Sequence, residues 1–125
     1  MSDIALILGI RPDVIRASKI IKLLDEFDEF NLDFIWSGQH YSDNMKDIFF
    51  RQLNVRKPDY EFNINGGSDA AIVSSTINSL FEHFNNYRYK AAIFLGDTNT
   101  VMGAIAAAQH NIPIMLIASR RQIDS

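Results

Sequence analysis

Apolar residues follow two patterns along this chain. In the first they run continuously: IALILGI (Ile4–Ile10), the centre of NLDFIWSG (Asn31–Gly38), YKAAIFLG (Tyr89–Gly96) and IPIMLIA (Ile112–Ala118). A strand covered on both faces has this signature. In the second they return every three or four residues. RPDVIRASKIIKLLDEF carries Ile20, Leu23, Leu24 and Phe27 at helical spacing, with Pro12 suited to a first turn and Asp13 to the positive end of the dipole. SDNMKDIFFRQLNV reads as a second helix with Ser42 as its cap. A third follows Ser68, with Ile72, Val73, Thr76, Ile77, Leu80 and Phe84 as its buried stripe. TVMGAIAAAQHN reads as a fourth, made mostly of small residues. Between the second and third, RKPDYEFNING is irregular or a short edge strand, opened by Pro58 and closed by Gly66 and Gly67.

Strand and helix alternate throughout, and the strands are apolar on both sides. This order predicts an α/β fold: a three-layer, Rossmann-like domain with an open, mainly parallel sheet and helices on each face. Such sheets hold ligands at the C-terminal ends of their strands. Arg11 follows the first strand, Gln39 and His40 follow the second, and Asp97 follows the strand that ends in FLG. Polar groups from three separate segments could therefore converge on one rim.

Composition narrows the classes. With 125 residues, 47% hydrophobic and 22% charged, the chain suits one soluble domain with a core. A net charge of −3 gives no general affinity for nucleic acid. No cysteine is present, so disulfides and thiolate metal sites are excluded. No stretch approaches the roughly twenty apolar residues of a membrane span, and MSDIALILGI does not read as a signal peptide. The expectation is a cytoplasmic protein. No His and carboxylate pair has metal-ligand spacing, so no metal and no cofactor are expected.

Arg11 stands at a helix N-terminus, where a cation is unfavourable by roughly 0.3–1 kcal/mol. A phosphate or other anion at that helix start would give it a purpose. The segment GIRPDV is not a dinucleotide fingerprint, because two of the three glycines are missing. Asp97 can cap the helix beginning near Thr98 or act as a catalytic acid; both readings are open. Its small neighbours Gly96, Thr98 and Gly103 suggest close approach by a ligand or by packed backbone. His83 reads as lying on the polar side of its helix and His110 as lying near a helix end, and neither is given a role.

Taken together, GIRPDVIRAS, SGQHYSDNMKDIFFRQLNVRKPDY and LGDTNTVMGAIAAAQHNIPI resemble the N-terminal domain of non-hydrolysing UDP-N-acetylglucosamine 2-epimerases. That family has two Rossmann-like domains facing a cleft, a GT-B-like architecture. The resemblance implies inversion at C2 of a UDP-amino sugar, by elimination of UDP and re-addition on the other face, for surface polysaccharide precursors. It implies substrate contact for Arg11 and Arg16, a catalytic or geometry-holding role for Asp97, and substrate-binding positions at Gln39 and His40. A UDP-sugar is the implied partner. A homo-oligomer is expected on a separate ground: the strongly apolar segment IPIMLIA would sit near an open edge of the sheet, and such a surface favours association.

Two departures qualify this. The family follows its I-P-I strand with H-x-E-A-G-x-R, where this chain has Leu116 for His, Ala118 for Glu and Arg120 for Gly. Alanine can neither give nor take a proton. By the same resemblance, residues 1–125 are expected to be a partial N-terminal domain, without the C-terminal UDP-binding domain. The expectation is a chain inactive by itself. The alternatives are a non-catalytic interaction module or part of another GT-B-like sugar-nucleotide enzyme.

Overall fold

Each continuous apolar run forms a strand. The computed structural model describes residues 3–9, 11–26, 31–37, 50–52, 54–62, 64, 68–95 and 102–117, with backbone alone for 11–16. In chain order the elements are β1 (Ile4–Leu8), α1 (Arg11–Glu26), β2 (Leu32–Trp36), β3 (Tyr60–Glu61), α2 (Asp69–Asn86), β4 (Ala91–Leu95), α3 (Ala104–Gln109) and β5 (Ile114–Ile117). They build a five-stranded sheet in the order β3-β2-β1-β4-β5. Every pairing is parallel, with β1 at the centre.

Alternation along the strands feeds two separate cores. Leu6, Leu8, Phe34, Trp36, Ile93 and Leu95 face Ala17 and Ile21 of α1, with Phe50 and Val55. Ala5, Ile7, Ile35, Ala92 and Phe94 face Leu80 and Phe84 of α2 and Ala106 and Ala107 of α3. This is the three-layer arrangement that the sequence predicts. Phe50 meets Phe34 and Trp36 edge-on, with ring centroids 6.0 and 6.2 Å away, a favoured aromatic geometry. Phe50 to Gln52 are the described part of the second helix read from sequence; Ser42 lies outside the described residues.

Local chemistry sets the element ends. Ser68 caps α2, its hydroxyl accepting from the Ala71 N–H at 3.2 Å. Asn111 ends α3 in the left-handed region at φ 58°. The Ile112 N–H then reaches back to the Ala107 carbonyl and the Asn111 N–H to that of Ala108, the paired bonds of a Schellman motif. Asn54 repeats the device at φ 54°, with Val55 bonded to Phe50 and Asn54 to Arg51. Arg56 fastens α1 to the sheet. It bonds Asp25 at 2.9 Å, Asp59 at 2.7 Å and the Leu32 carbonyl at 2.9 Å. Burial disfavours its charge, but the two carboxylates outweigh this and raise its pKa.

Three expectations need correction. The buried stripe of α1 runs through Ala17, Ile21 and Leu24, whereas Leu23 is 56% exposed. Residues 17, 21 and 24 share a face at i, i+4 and i+7, and Leu23 falls off it. His83 is not on a polar helix side: it is buried among aromatic rings. Finally, β5 is not covered on both faces. It is an edge strand, and Met115 and Leu116 are 56% and 55% exposed.

Gly103 is buried at the start of α3 with an ordinary right-handed φ of −62°. Ala106 and Ala107 beside it are fully buried in the core shared with α2. At this position the small residue serves close helix packing.

Candidate functional site

Parallel pairing sends three consecutive strands to one edge. β2, β1 and β4 are neighbours, with Leu8 opposite Trp36 and Ile7 opposite Phe94. Their C-terminal ends lead into the segments that carry Gln39 and His40, Arg11, and Asp97 respectively. Gln39, His40 and Asp97 lie outside the described residues, as do the side chains of Arg11 and Arg16; the backbone of both arginines is in α1.

What the structure describes of this edge is its foundation. Ser37 is buried and spans two strand ends: its N–H donates to the Leu8 carbonyl at 2.8 Å and its hydroxyl to the same oxygen at 3.2 Å. This fastens the exits of β1 and β2 together just before the polar segments begin. Leu8 and Leu95 beneath are buried. The edge thus has rigid footings, as a site built from loops requires. Ser37 was not singled out from sequence, although its place directly after a buried strand was a usable signal.

The opposite edge carries a different constellation that the sequence reading did not anticipate. Asp33, near the start of β2, accepts a hydrogen bond from the Tyr89 hydroxyl at 2.7 Å, and that hydroxyl lies 2.7 Å from His83 Nε2. All three are buried. Asp33 pairs in register with Ala5, and Ala92 lies across β1, so small residues leave room for the chain of polar groups. An acid inside the apolar run LDFIW was the available clue, because a buried carboxylate needs a partner.

Burial governs protonation here. It pulls the His83 pKa below its ordinary 6.5, with Asp33 opposing the shift. Burial pushes the Tyr89 phenol well above its ordinary value, and Asp33 adds to this. Tyr60 is pushed up to about 12, first by its hydrogen bond with Tyr87 and then by burial. The signs follow. Below pH 6.5 the unfolded chain binds a proton at His83 that the folded chain resists, so stability falls as pH drops through the lowered value. Above pH 10 the unfolded chain loses phenolic protons that the folded chain keeps, so stability falls again as pH rises. Urea unfolding against pH should therefore show a plateau between these limits, and His83→Phe should flatten its acid side.

Among the described residues no group of three His, Asp or Glu side chains could hold a metal ion, and no helix is long and apolar enough to cross a membrane.

A parallel Rossmann-like sheet with three adjacent strand ends leading into polar segments has the layout in which open α/β folds hold their ligands. The sequence profile of the UDP-N-acetylglucosamine 2-epimerase family matches residues 22–119. The chain belongs to that family. It is 38% identical over 115 residues to UDP-N-acetylglucosamine 2-epimerase of Methanococcus maripaludis, covering 91% of this chain and 31% of the relative. It is 34% identical over 109 residues to UDP-2,3-diacetamido-2,3-dideoxy-D-glucuronate 2-epimerase of Pseudomonas aeruginosa, covering 86% and 31%. In three dimensions it matches UDP-GlcNAc 2-epimerase of Methanocaldococcus jannaschii, solved in complex with UDP-GlcNAc and UDP. The TM-score is 0.83 at 32% identity, over 92% of this chain and 32% of that one. The chain spans about a third of the length of the relatives it matches.

Proposed function

We propose that this chain supplies the N-terminal half of a UDP-amino-sugar 2-epimerase site, built on the C-terminal edge of its sheet. The observation that carries the reading is the family match over residues 22–119 together with the adjacency of β2, β1 and β4. Epimerisation at C2 breaks the C2–H bond and the C1–O bond to UDP, giving a glycal-like intermediate; UDP then re-forms the C1–O bond while a proton is delivered to C2 on the face opposite to the one it left. A base must take the proton, a partner must steady the leaving oxygen, and cations must hold the diphosphate. Asp97 takes the catalytic or geometry-holding role. Arg11 and Arg16 hold the diphosphate at the start of α1, where backbone N–H groups favour anions. Gln39 and His40 contact the substrate. The product is a precursor for surface polysaccharide, made in the cytoplasm without metal or cofactor.

By itself the 125-residue chain is expected not to turn over. It matches only about a third of its relatives' length, and it has Ala118 where the family motif has an acid–base glutamate. Incubation with UDP-N-acetylglucosamine in heavy water should leave C2 protonated and give no 2-epimer by NMR. Deuterium at C2 above a no-protein control would refute this.

One observation favours a second, non-catalytic role as an interaction module. Ile114, Met115 and Leu116 are exposed on consecutive positions of edge strand β5, so both faces of an apolar strand are bare. Such an edge favours pairing with another chain. We expect a homo-oligomer at low micromolar concentration; light scattering that gives a 14.2 kDa monomer would count against it.

A further inference from the structure

β5 is the outer strand of the sheet, and among the described residues no strand lies beyond it. Native edges are commonly blunted by a charged side chain, a proline or a bulge. Ile114–Ile117 reads IMLI in unbroken register with β4, and has none of these. Pro113 precedes it, but its carbonyl accepts the Ala92 N–H at 2.9 Å, so that position faces β4 rather than the open side. Backbone polar groups alternate in direction along a strand. Positions 113, 115 and 117 therefore aim theirs at β4, and Ile114 and Leu116 aim theirs outward. The open side offers two donors and two acceptors, placed symmetrically about Met115.

The side chains repeat this symmetry. Met115 lies in register with Ile93, on the sheet face that α1 packs against, and is 56% exposed. Ile114 and Leu116 lie in register with Ala92 and Phe94, on the face of α2 and α3, and are 38% and 55% exposed. A partner must therefore supply a strand together with apolar side chains on both faces. A second copy of β5 does both when it runs antiparallel. Ile114 then exchanges both backbone hydrogen bonds with the partner's Leu116, and Leu116 with the partner's Ile114. Met115 meets the partner's Met115 on the two-fold axis between them. The strand carries no charge, so like lies beside like without repulsion. Arg120 and Arg121 follow β5 in the sequence. Antiparallel pairing directs the arginines of the two copies to opposite ends of the joint, whereas a parallel partner would set like charges side by side.

We propose that two copies of this chain join β5 to β5, antiparallel about a two-fold axis at Met115, into one continuous sheet of twice five strands. This rests on the reading of the chain as a self-associating module and adds the partner strand and its register. It is independent of the epimerase reading.

The chain has no cysteine, so single-cysteine variants report the register directly. Facing residues of a non-hydrogen-bonded antiparallel pair have Cα atoms about 4.5 Å apart, within the disulfide range of about 4.4–6.8 Å. Met115→Cys should therefore give a covalent dimer under mild oxidation at micromolar concentration. Ile114→Cys and Leu116→Cys should not, because each then lies diagonally from its own counterpart, at about 7–8 Å. All three positions are exposed, so the substitutions are compatible with folding. Light scattering of the wild-type chain should give twice 14.2 kDa. Leu116→Lys puts a charge on the edge and should weaken the dimer by at least about a hundred-fold, with little change in Tm. A wild-type monomer would overturn this proposal and the self-association reading together. Three results would overturn this proposal alone: a wild-type assembly larger than two chains, Met115→Cys linking no faster than the other two cysteine variants, or Leu116→Lys as dimeric as the wild type.

Discussion

Tyr89→Phe should lower the stability of this chain by about 3 kcal/mol, a large effect for the loss of one oxygen. The hydroxyl has two partners, each 2.7 Å away, in a region shielded from water. Removing it takes a donor from the buried carboxylate of Asp33 and a partner from the buried imidazole of His83. A hydrogen bond to a charged group contributes about 1.5–3 kcal/mol, and a buried polar atom left without a partner costs about 1–3 kcal/mol. The ring and its packing against Phe84 are retained, so no cavity contributes. On a domain of this size the change corresponds to a fall in Tm of roughly 10 °C. Tyr87→Phe is the control: Tyr87 is half-exposed and takes no part in the buried chain, and its loss should cost under about 1 kcal/mol. Equal effects from the two variants would show that the Asp33–Tyr89–His83 chain contributes no more than a surface tyrosine.

Arg11→Met should weaken UDP-N-acetylglucosamine binding by about ten-fold or more with little change in Tm. Hydrogen bonds to a charged group are worth about 1.5–3 kcal/mol, which is a ten- to hundred-fold change in affinity. On stability the substitution works the other way, because a cation at the start of α1 opposes the helix dipole. Asp97→Asn separates the two readings of that residue. As a helix cap, Asn serves about as well as Asp, and neither stability nor binding should move. As a site residue, loss of the charge should alter binding while melting is unchanged. The second outcome is expected, since the strand leading to Asp97 lies beside the strand leading to Arg11.

The sheet was legible because a strand buried on both faces has no other economical pattern than a continuous apolar run. Ile4–Leu8 and Ala91–Leu95 fall inside the runs read from sequence. The Ser68 cap was legible for a similar reason: one hydroxyl before an amphipathic stretch has a defined local task. Less local features were harder. Leu23 and Ile21 both fit a helical spacing, and only the position of the sheet decides which turns inward. The exposure of β5 was legible in part: its apolar run suggests cover on both faces, whereas its place near an open sheet edge suggests the exposure that is found. His83 reads as polar by composition, yet its partners Tyr89 and Asp33 are six and fifty-six residues away along the chain from His83 and Tyr89 respectively. For the candidate site, the strand ends were legible through the alternation of elements. The roles of Arg11, Arg16, Gln39, His40 and Asp97 came from family resemblance, because periodicity places a residue without assigning its chemistry.

The central claim is that the C-terminal edge of the sheet is a UDP-sugar half-site. Nitrogen-edited NMR of the isotope-labelled chain, titrated with UDP-N-acetylglucosamine, tests it most directly. The account predicts weak, saturable shifts at Gly9, Arg11, Ser37, Gln39, His40 and Asp97, with Asp33, Tyr60 and Tyr89 at the other edge unmoved. Shifts confined to that other edge, or no shifts at millimolar ligand, would contradict it.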